Sequence, residues 1–306
     1  MDKLDQKLLF ELMKNSRLPL TQLAKKLKRS REMILYRIER LKETGTIIDF
    51  VTEINLEKLG YVGAAVFLTI KSGADKKFKE YLIKSPFVSW VAEHSGIWNY
   101  GFSVYGRNKS EVNERVQEMY KLFKGSITNY RVTFHNKTHF FYEKYFSSSS
   151  RPLKKNFMVY KTDKYDLKIL EKLSLNSRLD SVQLAKFIPL TAQAIRDRIR
   201  KLENAGVIEK YSLFIDVSRL GAYQYSIFIQ NNLQVIPFLS EHPKVSFIAE
   251  YENNPFLEFG VFINNPYDLR KILQEIEEVF PDNKILEVSL FQQELVSIGP
   301  PKCVFQ

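Results

Sequence analysis

The chain has 306 residues, 44% of them hydrophobic and 26% charged, which suits two to four compact domains and excludes wholesale disorder. No apolar run approaches the roughly 20 residues of a membrane span, and the single cysteine, Cys303, excludes an internal disulfide and any cysteine-cluster metal site and fits a reducing cytoplasm. The net charge of +11 divides into +4 over residues 1–60, +6 over 61–150, +7 over 151–221 and −6 over 222–306, so three segments suit a polyanion and the last does not.

From the N-terminus, Met1-Asp2-Lys3-Leu4-Asp5 opens an amphipathic helix rather than a signal peptide. Leu4, Leu8, Leu9 and Leu12 recur at helical spacing to about Lys14. A short helix over Leu20–Leu27 follows, and a third starts at Ser30 as N-cap and ends at Gly45. The β-branched stretches Thr46–Ile48 and Phe50–Leu56 then predict a two-stranded wing. Beyond residue 60 the order becomes strand Ala64–Lys71, helix Asp75–Lys84, strands Phe87–Glu93 and Trp98–Tyr105, helix Ser110–Lys124 and strand Ile127–Tyr142. This is a ferredoxin-like βαββαβ order. The serine-rich run before Arg151-Pro152 reads as a linker.

The chain then starts again. Residues 2–60 align without a gap to 163–221, with 23 of 59 positions identical, among them Asn15-Ser16-Arg17-Leu18 against Asn176-Ser177-Arg178-Leu179. At a slightly shorter offset Val88–Glu93 meets Val245–Glu250. Strands near Tyr223–Gln230, Val245–Glu250, Leu257–Ile263 and Lys284–Val296 complete the second copy, with helices near Leu233–Ser240 and Pro266–Phe280. The four-residue loss predicts a shorter first helix there, with Pro237 inside it. The fold class is therefore α+β: two tandem repeats, each a winged helix-turn-helix domain followed by a ferredoxin-like βαββαβ domain. The expected divisions are 1–60, 61–146, a linker at 147–161, 162–221 and an acidic 222–306.

In a helix-turn-helix the second helix of the pair enters the major groove of DNA. With Ile195 and Ile199 inward, helical geometry turns Gln193, Asp197 and Arg200 outward, with Arg196 and Lys201 on the flanks and Thr191 as cap. Gln suits adenine, Arg suits guanine, and flanking cations suit phosphate. In the first copy the outward set is Glu32, Tyr36 and Glu39, with Leu35 beside them, Ser30 as cap and Arg31, Arg37 and Arg40 toward the sides. Scattered arginines on one helix are by themselves an ordinary solvated face. The complete element order, twice, in a basic chain, raises the DNA-binding reading.

The string Asp5…Leu9…Asn15-Ser16-Arg17…Gln22-Leu23-Ala24-Lys25…Arg37-Ile38…Leu41…Gly45-Thr46-Ile47, repeated from Asp166 to Ile208, resembles the signature of the Lrp/AsnC, or feast/famine, transcriptional regulators. The resemblance implies a DNA-binding domain joined to an effector-binding, oligomerising domain, with small effectors such as amino acids held between paired effector domains; with no Gly-rich phosphate loop, nucleophile elbow or paired-carboxylate pattern in the sequence, a cytoplasmic regulator is expected, not an enzyme, with no metal or cofactor. Family members carry a Gly-x-aromatic-Asp turn between the second and third strands of that domain. Here Gly96-Ile97-Trp98-Asn99 is a near match, making Gly96, Trp98 and Asn99 the candidate ligand residues, whereas Asn253-Asn254-Pro255-Phe256 lacks the glycine. Trp98 and Tyr100 read more readily as sheet-packing aromatics than as ligand contacts.

The expected partners are double-stranded DNA and a small effector, with no membrane. The effector domains are expected to pair within or between chains, a homodimer staying open. Two other readings stand beside this one: an architectural DNA-binding protein without a ligand, and an enzyme similar to the sirohaem decarboxylases that share the fold. Those depend on a His/Tyr/Arg-rich stretch where this chain has only His94. His135 and His139 share a strand face but lie too far apart to grip one metal.

Overall fold

The computed structural model describes residues 1–146, 159–230, 232, 234–253, 255–296 and 299–306. Of the expected linker, residues 147–158 lie outside the described residues. The chain gathers into two compact units, and each draws on both repeats.

The first unit holds both sets of three helices. Helix α1 (Lys3–Lys14) is capped by Asp2, whose carboxylate accepts from the amides of Leu4 and Asp5, while Asp5 returns a bond to the Asp2 amide. Leu8, Leu9 and Leu12 are fully buried. Helix α2 (Leu20–Leu27) ends on Lys28 in the left-handed region, φ 52°. Helix α3 (Arg31–Glu43) starts from Ser30, whose hydroxyl accepts from the Met33 amide, and buries Ile34, Ile38 and Leu41. Gly45 then turns the chain at φ 70°, which only glycine adopts without strain.

The second copy repeats this with α6 (Lys164–Leu175), α7 (Ser181–Leu184) and α8 (Ala192–Asn204). Helix α7 has four residues against the eight of α2. The position of Lys28 is taken by Pro189, whose ring forbids a positive φ, so the same helix ending is unavailable.

The expected wing is corrected by the structure. Each repeat supplies one strand, β1 (Ile47–Ile54) and β6 (Ile208–Ile215), and these pair antiparallel with each other. The stretch from Thr46 to Leu56 offers no glycine or Asn-Gly turn to fold it back on itself. Its partner is therefore its own duplicate.

The second unit holds the two βαββαβ halves: β2 (Val62–Ile70), α4 (Asp75–Lys84), β3 (Val88–Ser95), β4 (Tyr100–Gly106), α5 (Lys109–Phe123) and β5 (Ile127–Phe140), then β7 (Tyr223–Gln230), α9 (Val235–Glu241), β8 (Val245–Tyr251), β9 (Phe256–Ile263), α10 (Tyr267–Val279) and β10 (Ile285–Val296). Helix α9 is shorter than α4, as the deletion predicts, and contains Pro237. The two sheets join edge to edge, β5 to β8 and β10 to β3, closing a barrel of order β10-β3-β4-β2-β5-β8-β9-β7. The pairing left open by the sequence is thus made inside one chain. Closure leaves this barrel without an open sheet edge.

Alternate residues serve two cores. Ala64, Val66, Leu68 and Ile70 face the helices with Phe78, Val112 and Val116, while Ala65 and Phe67 face the barrel interior with Trp98, Phe228, Phe247 and Phe291. The basic first sheet and acidic second one also meet in charge: Arg131 bonds Glu287 at 2.5 Å, and Lys109 pairs with Glu252. Pro300 and Pro301 have no amide for a ladder, and Lys302–Gln306, expected in the last domain, joins the helical unit, with Val304 fully buried.

Candidate nucleic-acid interface

Inside the helical unit the two repeats are locked along a local two-fold. The hydroxyls of Ser16 and Ser177, both fully buried, bond each other at 2.6 Å. The Ser16 amide donates to the Tyr211 carbonyl and the Ser177 amide to that of Phe50. Thr52 donates to the Leu173 carbonyl at 2.6 Å, and Ser212 to that of Met13 at 3.1 Å. Arg17 lies over the Tyr211 ring and donates to the Leu179 carbonyl, while Arg178 lies over Phe50 and donates to that of Ser16. The Asn-Ser-Arg-Leu block, identical in both repeats, is this joint. Its duplication was the only sign of that role in the sequence.

Each third helix is pinned from behind. Asp5, fully buried, receives Arg37 at 2.7 Å and Arg40 at 2.6 Å, and Arg37 also bonds Asp2. Arg198 bonds Asp163 and Asp166 in the same way. The hydrogen bond from the Asp5 amide, followed by that from the Arg37 guanidinium, holds the Asp2 carboxyl down at about 2. Two of the arginines expected to face DNA, Arg37 and Arg40, are therefore engaged in holding α3 against α1. Ser30 and Thr191 spend their hydroxyls as helix caps, accepting from the Met33 and Ala194 amides.

The remaining candidates stand exposed. On α8 these are Gln193, Arg196, Asp197, Arg200 and Lys201. They form a chain of contacts: Arg196 donates to Gln193 Oε1 at 2.7 Å and to the Ser181 hydroxyl at 3.0 Å, Gln193 Nε2 donates to Asp197, and Arg200 lies 3.9 Å from Asp197. On α3, Arg31, Glu32 and Glu39 are exposed beside Met33, Leu35 and Tyr36. The Glu32 carboxyl is lowered by bonds from its own amide and from the Ser30 hydroxyl, so it stays ionised. This arrangement offers two outward helices, of different chemistry, on one framework.

The Lrp/AsnC resemblance is supported by comparison with known proteins. Residues 1–42 match the AsnC-type helix-turn-helix domain, and residues 162–209 a winged helix-turn-helix DNA-binding domain. An uncharacterized HTH-type transcriptional regulator of Pyrococcus furiosus is 35% identical over 130 residues, covering 41% of this chain and 86% of the relative. The chain belongs to the Lrp/AsnC family of helix-turn-helix regulators. Another similar member of that family is the HTH-type transcriptional regulator FL11 of Pyrococcus furiosus, 30% identical over 37% of this chain and 76% of its own. Among solved structures, the siroheme decarboxylase NirDL superposes over 98% of this chain and 94% of its own, with a TM-score of 0.65 and 14% identity. That likeness shows a shared fold.

Of the candidate effector turn of this Lrp/AsnC chain, Trp98 enters the barrel interior while Gly96 and Ile97 stay exposed. Gly96, at φ 142°, packs so close to Ser289 and Val288 of β10 that a Cβ would sit 3.1 Å from the Ser289 hydroxyl. Trp98 is buried, its indole N–H donating to Glu287 at 2.7 Å under the Arg131 guanidinium. Asn99 closes the end of β2, its side-chain oxygen accepting from the Ile70 amide at 2.9 Å. Burial holds His94, His135 and His139 at about 4, hence neutral. Among the described residues no group of three or more His, Cys, Asp or Glu side chains could hold a metal, and no helix is long and apolar enough to cross a membrane.

Proposed function

We propose that the protein is a sequence-preferring, non-enzymatic regulator that engages duplex DNA with α3 and α8 together. The observation that carries this reading is the pair of outward third helices held in one unit by the Ser16–Ser177 joint. The exposed Gln193, Arg196 and Arg200 meet base edges, and Arg31 and Lys201 neutralise phosphate. Replacing Arg196 and Arg200 by Ala weakens binding to a selected site by about 1–3 kcal/mol per lost bidentate contact. Unchanged affinity of the double variant in a gel-shift titration overturns the assignment of α8.

The family resemblance adds a small polar effector, such as an amino acid, at the Gly96–Asn99 turn. A thermal-shift screen across the amino acids is expected to give at least one saturable stabilisation, absent in Asn99→Ala. A flat response favours DNA binding without an effector. The shared fold with a siroheme decarboxylase raises the enzyme alternative, which a visible absorbance scan of the purified protein tests: a tetrapyrrole band contradicts the non-enzymatic reading.

A further inference from the structure

The two third helices descend from one ancestor helix, yet at paired positions they carry opposite chemistry. Arg196 and Asp197 of α8 correspond to Leu35 and Tyr36 of α3, and Gln193 and Arg200 correspond to Glu32 and Glu39. On α3, Leu35 and Tyr36 are 45% and 63% exposed, Tyr36 opposite the buried Ile34, Ile38 and Leu41 and Leu35 beside it on the flank. Isolated exposed apolar residues are ordinary. Leu35 and Tyr36, neighbours where the duplicate carries Arg196 and Asp197, call for a partner that offers apolar contact. The thymine C5-methyl is the apolar group the major groove presents. Glu32 and Glu39 lie on the same face and can only accept, and the cytosine N4 amine is the donor suited to them. Phosphate repels both. Arg37 and Arg40 are turned back onto Asp2 and Asp5, which leaves Lys42, paired with Glu39 at 3.1 Å, and Arg31 beside Glu32 as the cations on this side.

The face of α8 is opposite in kind. Arg196 grips Gln193 Oε1 while Gln193 Nε2 donates to Asp197, so the three side chains hold one another outward. Asp197 is thereby occupied by Gln193 and approached by Arg200. What remains for DNA is the Arg200 guanidinium, which only approaches Asp197, and the outer N–H groups of Arg196, both suited to guanine O6/N7, while the Gln193 amide reaches adenine N6/N7 by exchanging its Arg196 and Asp197 partners.

Resting on the DNA-binding reading above, we propose that this chain reads a directional site. Helix α3 takes a pyrimidine-edged half, through methyl contacts from Leu35 and Tyr36 and cytosine contacts from Glu32 and Glu39. Helix α8 takes a purine-edged half, through Gln193, Arg196 and Arg200. The β1–β6 pairing and the Ser16–Ser177 bond fix the two readers to each other, so the halves keep one order and one spacing.

The test is selection from a random duplex library by the full chain, in parallel with three variants whose altered side chains are exposed and leave the core intact. Wild type is expected to return two unlike halves at constant spacing. Leu35→Ala with Tyr36→Ala relaxes one half by about tenfold or more and leaves the other intact, and Arg196→Ala with Arg200→Ala does the reverse. Leu35→Arg with Tyr36→Asp, which gives α3 the α8 residues at those positions, moves the consensus toward a palindrome of purine-edged halves. A palindromic wild-type consensus overturns the proposal and leaves DNA binding standing, and so does a Leu35/Tyr36 variant that selects the wild-type site unchanged. A library with no enrichment overturns the DNA-binding reading itself.

Discussion

Ser16 and Ser177 are fully buried, and each hydroxyl has the other as its partner at 2.6 Å. Removing one hydroxyl leaves a buried polar group without a bond, which costs about 1–3 kcal/mol, whereas removing both removes the orphan as well. Ser16→Ala and Ser177→Ala should therefore each lower the denaturant midpoint, and the double variant should lose clearly less than the sum. Additive losses would show that the pair does not couple the repeats. Glu258 is a second residue whose surroundings decide its chemistry. It lies in the barrel interior, taking bonds from Ser226 and Tyr251, and burial pushes its carboxyl up to about 7. A carboxyl raised on folding binds its proton more tightly in the native state. Its favourable contribution is full below the unfolded value near 4.5 and is lost as pH rises through about 7. Glu258→Gln keeps acceptor capacity without the charge, so its melting temperature relative to wild type should rise between pH 5 and pH 8. A difference that stays constant with pH would contradict the assignment. The lowered histidines act with the opposite sign, losing stability as pH falls from 6.5 toward 4, which is why the comparison with the variant is the informative quantity.

At the scale of elements, periodicity told helices from strands because a helix face repeats every 3.6 residues and a strand face every two. The helices and the eight barrel strands were legible in that way. Strand partners were not. The residues of β1 show a β-branched stretch, but nothing local says that its partner lies near residue 211 rather than next along the chain, and barrel closure was hidden for the same reason. Of the interface, the outward positions on α3 and α8 followed from helical geometry. The diversion of Arg37 and Arg40 did not, because it depends on where α1 brings Asp5. Since β1 and β6 share one ladder, breaking it should loosen both repeats. Thr52→Pro removes an amide donor and the bond from Thr52 to the Leu173 carbonyl, a loss of about 3 kcal/mol or more. Hydrogen exchange should show protection falling in α1 and α6 alike. Loss confined to the first repeat would mean that the two helical sets are stabilised independently.

For the whole molecule, duplication has placed in one chain the two third helices and the two sheets that join edge to edge into the barrel. The charge is divided accordingly, with the positive excess in residues 1–221 and the negative excess in 222–306, where the acidic sheet meets the basic one. A DNA-binding surface built on positive charge predicts affinity that falls linearly in log–log form with salt, by close to one unit of slope for each phosphate neutralised. The most direct measurement is an anisotropy titration of the full chain against its selected duplex and a scrambled duplex, at several salt concentrations, for wild type and for Arg196→Ala with Arg200→Ala. Wild type should prefer the selected duplex by about a thousandfold or more, and the variant should lose most of that preference while retaining salt-sensitive binding to both. Equal affinity of wild type for the two duplexes, or a variant that discriminates as well as wild type, would contradict the account.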